Sequence, residues 1–320
     1  MGAATVAAIL TLAVLSLGWG TYPVAPDAVI RALLGSGTAL DTTVVVGWRL
    51  PRVLAAVTLG ALLAIAGALF QTVTRNPLAS PDILGLSNGA FTGMLITLVL
   101  VSSSWPARAA GALVGCLAAS LLIWLLAYRG GIQGFRLIVV GIGVSAMLAS
   151  LNTWMLLQVE LETAMFASAW GHGSLNGVTG DALGGVLLCA LPVALAAFAL
   201  GPSLRQLELG DDLATATGVR PHLVRSVALL IGVVLVAAAT AIAGPIAFVA
   251  LAAPQIARRL ARSPSLSLTL SGLVGALVLL ASDAIAQHVL PVGLPVGVVT
   301  VSVGGAYLIV MIVSEIRRRA

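Results

Sequence analysis

The chain has 320 residues, of which 60% are hydrophobic and only 8% charged, whereas about a quarter of the residues of a soluble domain are charged. This composition excludes a water-soluble globule. All 16 basic residues are arginines, which with 11 acidic residues gives a net charge of +5. No lysine is present for a P-loop or a Schiff base, and the scattered arginines form no stripe for nucleic acid.

Apolar stretches of about 20 residues, long enough to cross a bilayer, recur along the whole chain. The sequence predicts an uncleaved span at the N-terminus and single crossings at 53–74, 83–107, 109–128, 137–159, 182–204 and 263–282. Gly244-Pro245 interrupts the uncharged run 226–257, which predicts two helices, the second one short. Prolines and glycines fill the first half of the run 284–314, so we expect its helix to begin near residue 296.

These stretches predict an all-α polytopic membrane protein with about ten transmembrane helices in a single domain, residues 1–320. Because positively charged loops stay in the cytoplasm, ten spans with cytoplasmic N- and C-termini place twelve arginines inside and four outside. Nine or eleven spans would put the C-terminal arginine cluster outside.

Small residues four apart let helix backbones approach closely in lipid, where no hydrophobic force drives association. Such spacings predict a compact bundle, and they occur at Gly89/Gly93, Gly111/Gly115, Gly141/Ser145 and Gly180/Gly184.

The segment 75–90 is more elaborate than a simple connection. It carries two prolines, followed by Ser87 and Asn88, either of which can cap the next helix. Non-helical backbone at membrane depth is tolerated where protein or a water-filled cavity satisfies it. The segment therefore either lines the inner mouth of a pathway or forms an ordinary tight turn.

Residues 204–225 form the most polar stretch of the chain. Asp211 and Asp212 fit the first turn of a short helix between Gly210 and Gly218. A short cytosolic helix has no bundle to bury its face, so this pattern favours a protein partner over a solvated loop.

A rigid positive knob is predicted at the outer end of the second span, where Pro51 separates Arg49 from Arg52. Positive charge is disfavoured on that side, which suggests a function. The alternative is that both side chains extend to lipid phosphates.

Groups for chemistry are sparse. Asp283 is placed at the end of a predicted span, and the three histidines fall in different loops or helix ends. We therefore expect no metal site, no catalytic constellation and no midspan proton relay. A channel or autonomous secondary transporter is disfavoured, and energy for uphill movement would come from another subunit.

Five motifs, taken together and in this order, resemble the permease subunits of bacterial ABC importers for ferric siderophores, haem and vitamin B12, the FecCD-type family. They are RLPR at 49–52, RNPLASPDILGLSNGA at 75–90, ELGDDLATATGV at 208–219, GPIAFVALAAPQIARRL at 244–260 and LPVGVVTVSVGG at 294–305.

The resemblance implies a type II ABC importer permease fold in the bacterial cytoplasmic (inner) membrane. It implies a second permease subunit, two cytosolic ABC ATPases that hold ATP and magnesium, and an extracytoplasmic substrate-binding protein. This chain itself would bind no cofactor and would not be an enzyme. Gln255, where many relatives carry histidine, makes 248–260 most similar to permeases for ferric catecholate siderophores of the enterobactin type. Those usually pair with a paralogue, so we expect a heterodimer; a vitamin B12-type homodimer or a haem permease is the alternative.

The resemblance also implies roles for particular residues. Arg49 and Arg52 would meet glutamates of the binding protein. Some relatives complete this contact with an arginine at the position of Gln287, which is followed here by His288. The ATPase would be coupled through Glu208, Leu209, Gly210, Asp211, Asp212, Ala214, Ala216, Thr217, Gly218, Val219 and Arg225. The translocation path would be lined by Asn76, Pro77, Ser87, Asn88, Gly141, Gly143, Ser145, Ser150, Asn152 and Trp170.

Overall fold

The computed structural model describes residues 1–128, 134–262, 265–289 and 294–319, without the side chains of residues 312 and 314–319. Within these ranges the chain forms fifteen α-helices, one π-helical segment and no strand. The α-helices are α1 (Gly2–Gly18), α2 (Pro26–Leu33), α3 (Ala39–Thr42), α4 (Leu50–Thr74), α5 (Leu86–Leu100), α6 (Trp105–Ala127), α7 (Gly134–Gln158), α8 (Leu161–Gly171), α9 (Gly180–Ala199), α10 (Gly201–Glu208), α11 (Asp211–Ala216), α12 (Pro221–Ala243), α13 (Val249–Ala261), α14 (Leu268–His288) and α15 (Val296–Arg319).

Six helical segments of the described chain are long and apolar enough to cross a membrane. They are Ala39–Thr74, Trp105–Ala127, Gly134–Gln158, Gly180–Ala199, Pro221–Ala243 and Leu268–His288. Shorter apolar helices occur at Gly2–Gly18, Leu86–Leu100 and Val296–Met311. Helices satisfy their own backbone polar groups, as hydrocarbon requires. The fold is that of an all-α, multi-pass membrane protein.

The interruption predicted at Gly244-Pro245 is confirmed. Helix α12 ends at Ala243 and the short α13 begins at Val249, after Phe248 with φ of 69°. The prediction that the last helix begins near residue 296 is also confirmed, since α15 starts at Val296. Arg129, one of the twelve arginines assigned to the cytoplasm, lies outside the described residues, as do Pro291 and Gly293 of the proline- and glycine-rich stretch before the last helix.

Other boundaries differ from the prediction. The window 83–107 is not one helix, because α5 ends at Leu100 and α6 begins at Trp105 with Pro106 in its first turn. Neither Ser87 nor Asn88 caps α5, whose N-cap is Gly85 with φ of 84°. The second span begins far earlier than residue 53, since α3, the π-helical segment Thr43–Arg49 and α4 are continuous.

Helix α4 is the centre of the bundle and packs against α12, α13 and α14. Glycines allow two of the closest approaches, because a Cβ on Gly60 or Gly93 would overlap the carbonyl oxygen of Gly275 or Gly111. Thus the predicted spacings in α5 and α6 do join those two helices. The spacing at Gly180/Gly184 instead faces open space.

Helix α4 also connects two ends of the molecule that carry the polar side chains. Its 25 residues span about 37 Å at 1.5 Å per residue. Its first turn follows Arg49, and its C-cap is Arg75. We call these ends the Arg49 end and the Arg75 end.

Candidate functional site

Arg49 is held against the backbone where α1 ends. Its Nη1 donates to the Leu17 carbonyl at 2.8 Å and its Nη2 donates to the Tyr22 carbonyl at 2.5 Å. Gly20 makes room for this guanidinium, since a Cβ there would overlap it. Because both partners are neutral carbonyls, they orient the charge of Arg49 without neutralising it.

Arg52 forms a bidentate ion pair with Asp283 of α14. Its Nε donates to Asp283 Oδ2 at 2.8 Å and its Nη2 to Oδ1 at 2.6 Å, while Nη1 donates to Asn176 Oδ1 at 2.5 Å. The side chains of Arg52 and Asp283 are 19% and 8% exposed. The segment is therefore not the projecting knob that the sequence suggested, because helical geometry turns Arg52 towards α14.

The other two docking candidates lie on the last turn of α14, at the same Arg49 end. The His288 ring packs against Trp19 with centroids 5.6 Å apart. Gln287 Nε2 is buried and has no hydrogen-bond partner among the described residues. The structure thus brings all four candidates to one end through α1, α4 and α14, and their docking role stays a prediction.

At the Arg75 end, Asp211 joins three helices. Both of its oxygens accept from the buried Arg225, at 2.6 and 2.9 Å, and Oδ1 also accepts from Arg75 Nη2 at 2.6 Å. Arg75 donates in addition to the Leu207 carbonyl at 2.9 Å. The hydrogen bonds and charge of Arg225, assisted by Arg75, hold the pKa of the Asp211 carboxyl below its usual value. This cluster fixes α11 against α4 and α12.

The short helix predicted around Asp211 and Asp212 is confirmed as α11, with both acids in its first turn. Ala214 faces the bundle, whereas Asp212 and Leu213 are exposed, as is Leu209 just before the helix. The remaining coupling candidates surround this helix: Glu208 accepts from the Leu266 amide, Thr217 donates to Gln206, Gly210 and Gly218 have positive φ, Ala216 is exposed and Val219 is half-buried. Their contact with an ATPase stays a prediction.

Three path candidates, Asn88, Ser145 and Asn152, form a polar network with Thr92 between α5 and α7. Asn88 Nδ2 donates to Ser145 Oγ at 2.9 Å, and Asn152 Nδ2 donates to the Asn88 carbonyl at 3.2 Å. Thr92 Oγ1 donates to Asn152 Oδ1 at 2.6 Å. These side chains are satisfied by one another, so they join two apolar helices without leaving strongly polar groups free.

Beside this network lies a cavity of about 450 Å³ between α5, α8, the α12–α13 break and α15. Ser87, Asn88, His172 and Pro245 are among its lining residues, and so is Asp82. Asp82 accepts from Ser87 Oγ at 2.9 Å and from the Phe248 amide at 3.3 Å. Burial raises the pKa of the Asp82 carboxyl to about 6, although these two hydrogen bonds oppose the shift.

The remaining path candidates are dispersed. Asn76 and Pro77 form a turn at the Arg75 end, where Asn76 Oδ1 accepts from the Leu78 amide at 2.9 Å. Trp170 stacks on Phe91 with centroids 6.1 Å apart. The last three lie on α7: Gly141 packs on Leu84, whereas Gly143 and Ser150 are on an exposed face. Their lining of one path stays a prediction.

Sequence reasoning missed two polar contacts. Asp82 lay in the quoted 75–90 motif, but only the fold places its carboxylate beside the Phe248 amide. Gln255, used above to suggest cargo, is buried between α13 and α4, where it donates to Gln71 while Gln71 donates to the Leu251 carbonyl. In this chain Gln255 therefore takes part in helix packing.

Comparison with known proteins gives consistent matches over the full length. The model of the FecCD transport family matches residues 8–314. The ferric enterobactin transport system permease protein FepG of Escherichia coli K12 is 47% identical over 315 residues, covering 98% of this chain and 96% of FepG. FepD from the same strain, named likewise for ferric enterobactin transport, is 36% identical over 305 residues, covering 93% and 90%. A solved structure described as an inward-facing metal-chelate type ABC transporter matches with a TM-score of 0.86 at 25% identity, covering 98% of both chains.

Proposed function

Because this chain belongs to the FecCD transport family, we propose that it is the permease subunit of an ATP-driven importer that moves a ferric siderophore across the bacterial cytoplasmic membrane. Two relatives named for ferric enterobactin transport support this cargo class. The proposal includes ten spans with both termini in the cytoplasm, in a single permease domain.

The observation that carries the proposal is the attachment of α11 at the Arg75 end. A helix of six residues is too short to be stable alone. Here Asp211 fastens it to Arg75 and Arg225, while Asp212 and Leu213 point outward. A fixed helix with an exposed outer face suits the transmission of force from a separate ATPase, and Arg75 would pass that force to α4.

At the opposite end we propose the docking surface for an extracytoplasmic binding protein. Arg52 is neutralised by Asp283, whereas Arg49 keeps its charge. Arg49 is therefore the main electrostatic contact in this proposal, with Gln287 and His288 beside it. Charges of this kind govern association rate and orientation, so raised salt should weaken docking.

The rest of the importer is proposed from what this chain presents. Helix α7 has a largely exposed apolar face, which suits a second permease subunit, and the pairing would be a heterodimer with a paralogue. The path would run beside the polar network and the Asp82 cavity, where few groups would hold a bulky cargo tightly. ATP and magnesium would be bound by the partner ATPases.

The test is transport into vesicles. The chain is reconstituted with its partner permease and ATPase, and uptake is measured with ferric enterobactin, a ferric hydroxamate, haem and vitamin B12 in the presence of binding protein. We expect ATP-dependent accumulation of a ferric siderophore, and none without the ATPase. Accumulation without nucleotide, or preference for haem or vitamin B12, would overturn the mechanism or the cargo, respectively.

A further inference from the structure

A second cavity, of about 320 Å³, lies between α4, α6, α7 and α12 and is almost entirely apolar. The cavity begins near the Arg75 end, where Phe70, Trp124, Leu137 and Ser226 line it. From there it extends to the middle of α6 and α12, at Leu117 and Val233. Leu121 and Leu230 at its rim are 56% and 61% exposed. The cavity therefore opens towards the surroundings of the bundle, which for a membrane-spanning helix are hydrocarbon.

Two aromatic rings lie at the end of α6, and an arginine is the chain neighbour of one lining residue, Leu137. Arg136 precedes Leu137, and its Nη1 atom is buried without a hydrogen-bond partner in the described parts of the chain. A buried guanidinium nitrogen left unpaired is costly, so its position favours an anionic partner. Trp124 packs on Tyr128 with ring centroids 5.0 Å apart at the end of α6. Such rings are enriched at the level of lipid headgroups.

We propose that this cavity binds one anionic phospholipid, with an acyl chain between α6 and α12 and its phosphate on Arg136. The apolar lining accounts for the chain, and the unpaired nitrogen accounts for the negative headgroup. Basic groups between transmembrane helices recognise anionic headgroups in this way.

The site is next to the coupling segment. Ser226, which lines the cavity, directly follows Arg225, and Arg225 holds Asp211 of α11. A lipid lying along the first turns of α12 would thus contact the same helix that anchors α11. The cavity is remote from the docking surface at the Arg49 end, whereas Leu84 and Leu86 place it beside the segment that holds Asp82.

Lipid retention by the purified chain tests the proposal. The full chain is taken up in nanodiscs of equal phosphatidylglycerol and phosphatidylcholine with identical acyl chains, then released into mild detergent and examined by native mass spectrometry. We expect one retained phosphatidylglycerol. Arg136→Gln should lower the phosphatidylglycerol preference several-fold, and Ser120→Phe, which fills the cavity, should remove the bound lipid of either type.

The matched control is Arg220→Gln, which removes an exposed arginine just before α12 at the same end. We expect it to retain phosphatidylglycerol like the unchanged chain. The site would be overturned if the Arg136→Gln variant preferred phosphatidylglycerol as strongly as the unchanged chain does, or if lipid were retained after Ser120→Phe. Equal loss in the Arg220 control would also overturn it, because such a loss would indicate general charge attraction. Folding of each variant is checked by its thermal unfolding, and Ser120→Leu replaces Ser120→Phe if the latter does not fold.

Discussion

Arg52 and Asp283 are 231 residues apart in the chain, yet their side chains meet in a bidentate ion pair that joins the first turn of α4 to the last turns of α14. Charged side chains held in this way lose hydration, and the cost of that loss is offset only while both partners are present. The pair therefore contributes to the structure of the Arg49 end, whatever its role in docking.

Removing one partner of this pair should destabilise the fold. We expect Asp283→Asn to lower the free energy of unfolding by about 3 kcal/mol, because Arg52 is left with an uncompensated charge. The double variant Arg52→Met with Asp283→Leu should recover much of that loss. Thermal unfolding in detergent, followed by tryptophan fluorescence, measures both. If Asp283→Asn unfolds at the same temperature as the unchanged chain, the pair does not stabilise the protein.

Arg49 offers a cleaner test of docking than Arg52 does. Arg49→Glu reverses a charge whose partners among the described residues are two neutral carbonyls, so we expect several-fold slower association with the binding protein at low salt and a smaller difference at high salt. The control is Arg31→Glu, since Arg31 is exposed and pairs with Asp27 in α2. Association is followed by surface plasmon resonance with the permease in nanodiscs. Equal rates for Arg49→Glu and Arg31→Glu would remove Arg49 from the docking surface.

Asp211 and Asp212 are neighbours with different expected roles. Asp211→Asn weakens the attachment of α11 to Arg75 and Arg225, so we expect ATP hydrolysis to continue while uptake per ATP falls several-fold. Asp212→Arg changes only the exposed face and should weaken ATPase binding instead.

Since the pKa of Asp211 is lowered, its contribution to the stability of the folded chain is present above the unfolded value near 3.8 and is lost as the pH falls below it. Coupling through Asp211 should therefore be constant between pH 5 and 8.

Much of the fold follows from local chemistry that the sequence displays. Gly244-Pro245 interrupts a helix by removing a backbone donor, and glycines with two acids specify α11. The Arg52–Asp283 pair and the Gln71–Gln255 contact could not be predicted, because each depends on which helix faces which. The sequence shows that Arg52 is unusual, but only packing decides that α14 supplies its partner. Likewise, the exposed Gly180/Gly184 spacing looks the same in sequence as the packed spacings in α5 and α6.

Asp82 should make stability depend on pH. Its folded pKa of about 6 lies above the usual value of 3.8, so the folded chain holds a proton that the unfolded chain releases between these values. Stability should therefore fall as the pH rises from about 4 to about 6, by at most about 3 kcal/mol. Asp82→Asn should remove this dependence, and Asp27→Asn, which changes an exposed acid, should keep it. Parallel unfolding curves for the unchanged chain and Asp82→Asn at pH 4.5 and 7.5 would contradict the assignment.

Alanine substitutions at Gly93 and Gly184 distinguish the effect of helix packing on stability from the effect of helix propensity. Gly93→Ala places a methyl group against the Gly111 carbonyl, so we expect α5 and α6 to move apart at a cost of about 1–3 kcal/mol. Gly184→Ala adds the same methyl group where nothing lies within 4 Å. There the better helix propensity of alanine should stabilise α9 by about 0.5–1 kcal/mol. Both variants are compared by thermal unfolding in the same detergent. Opposite signs are expected because only Gly93 faces another helix, and a loss of stability in both would mean that α9 is packed against a neighbour as closely as α5 is against α6.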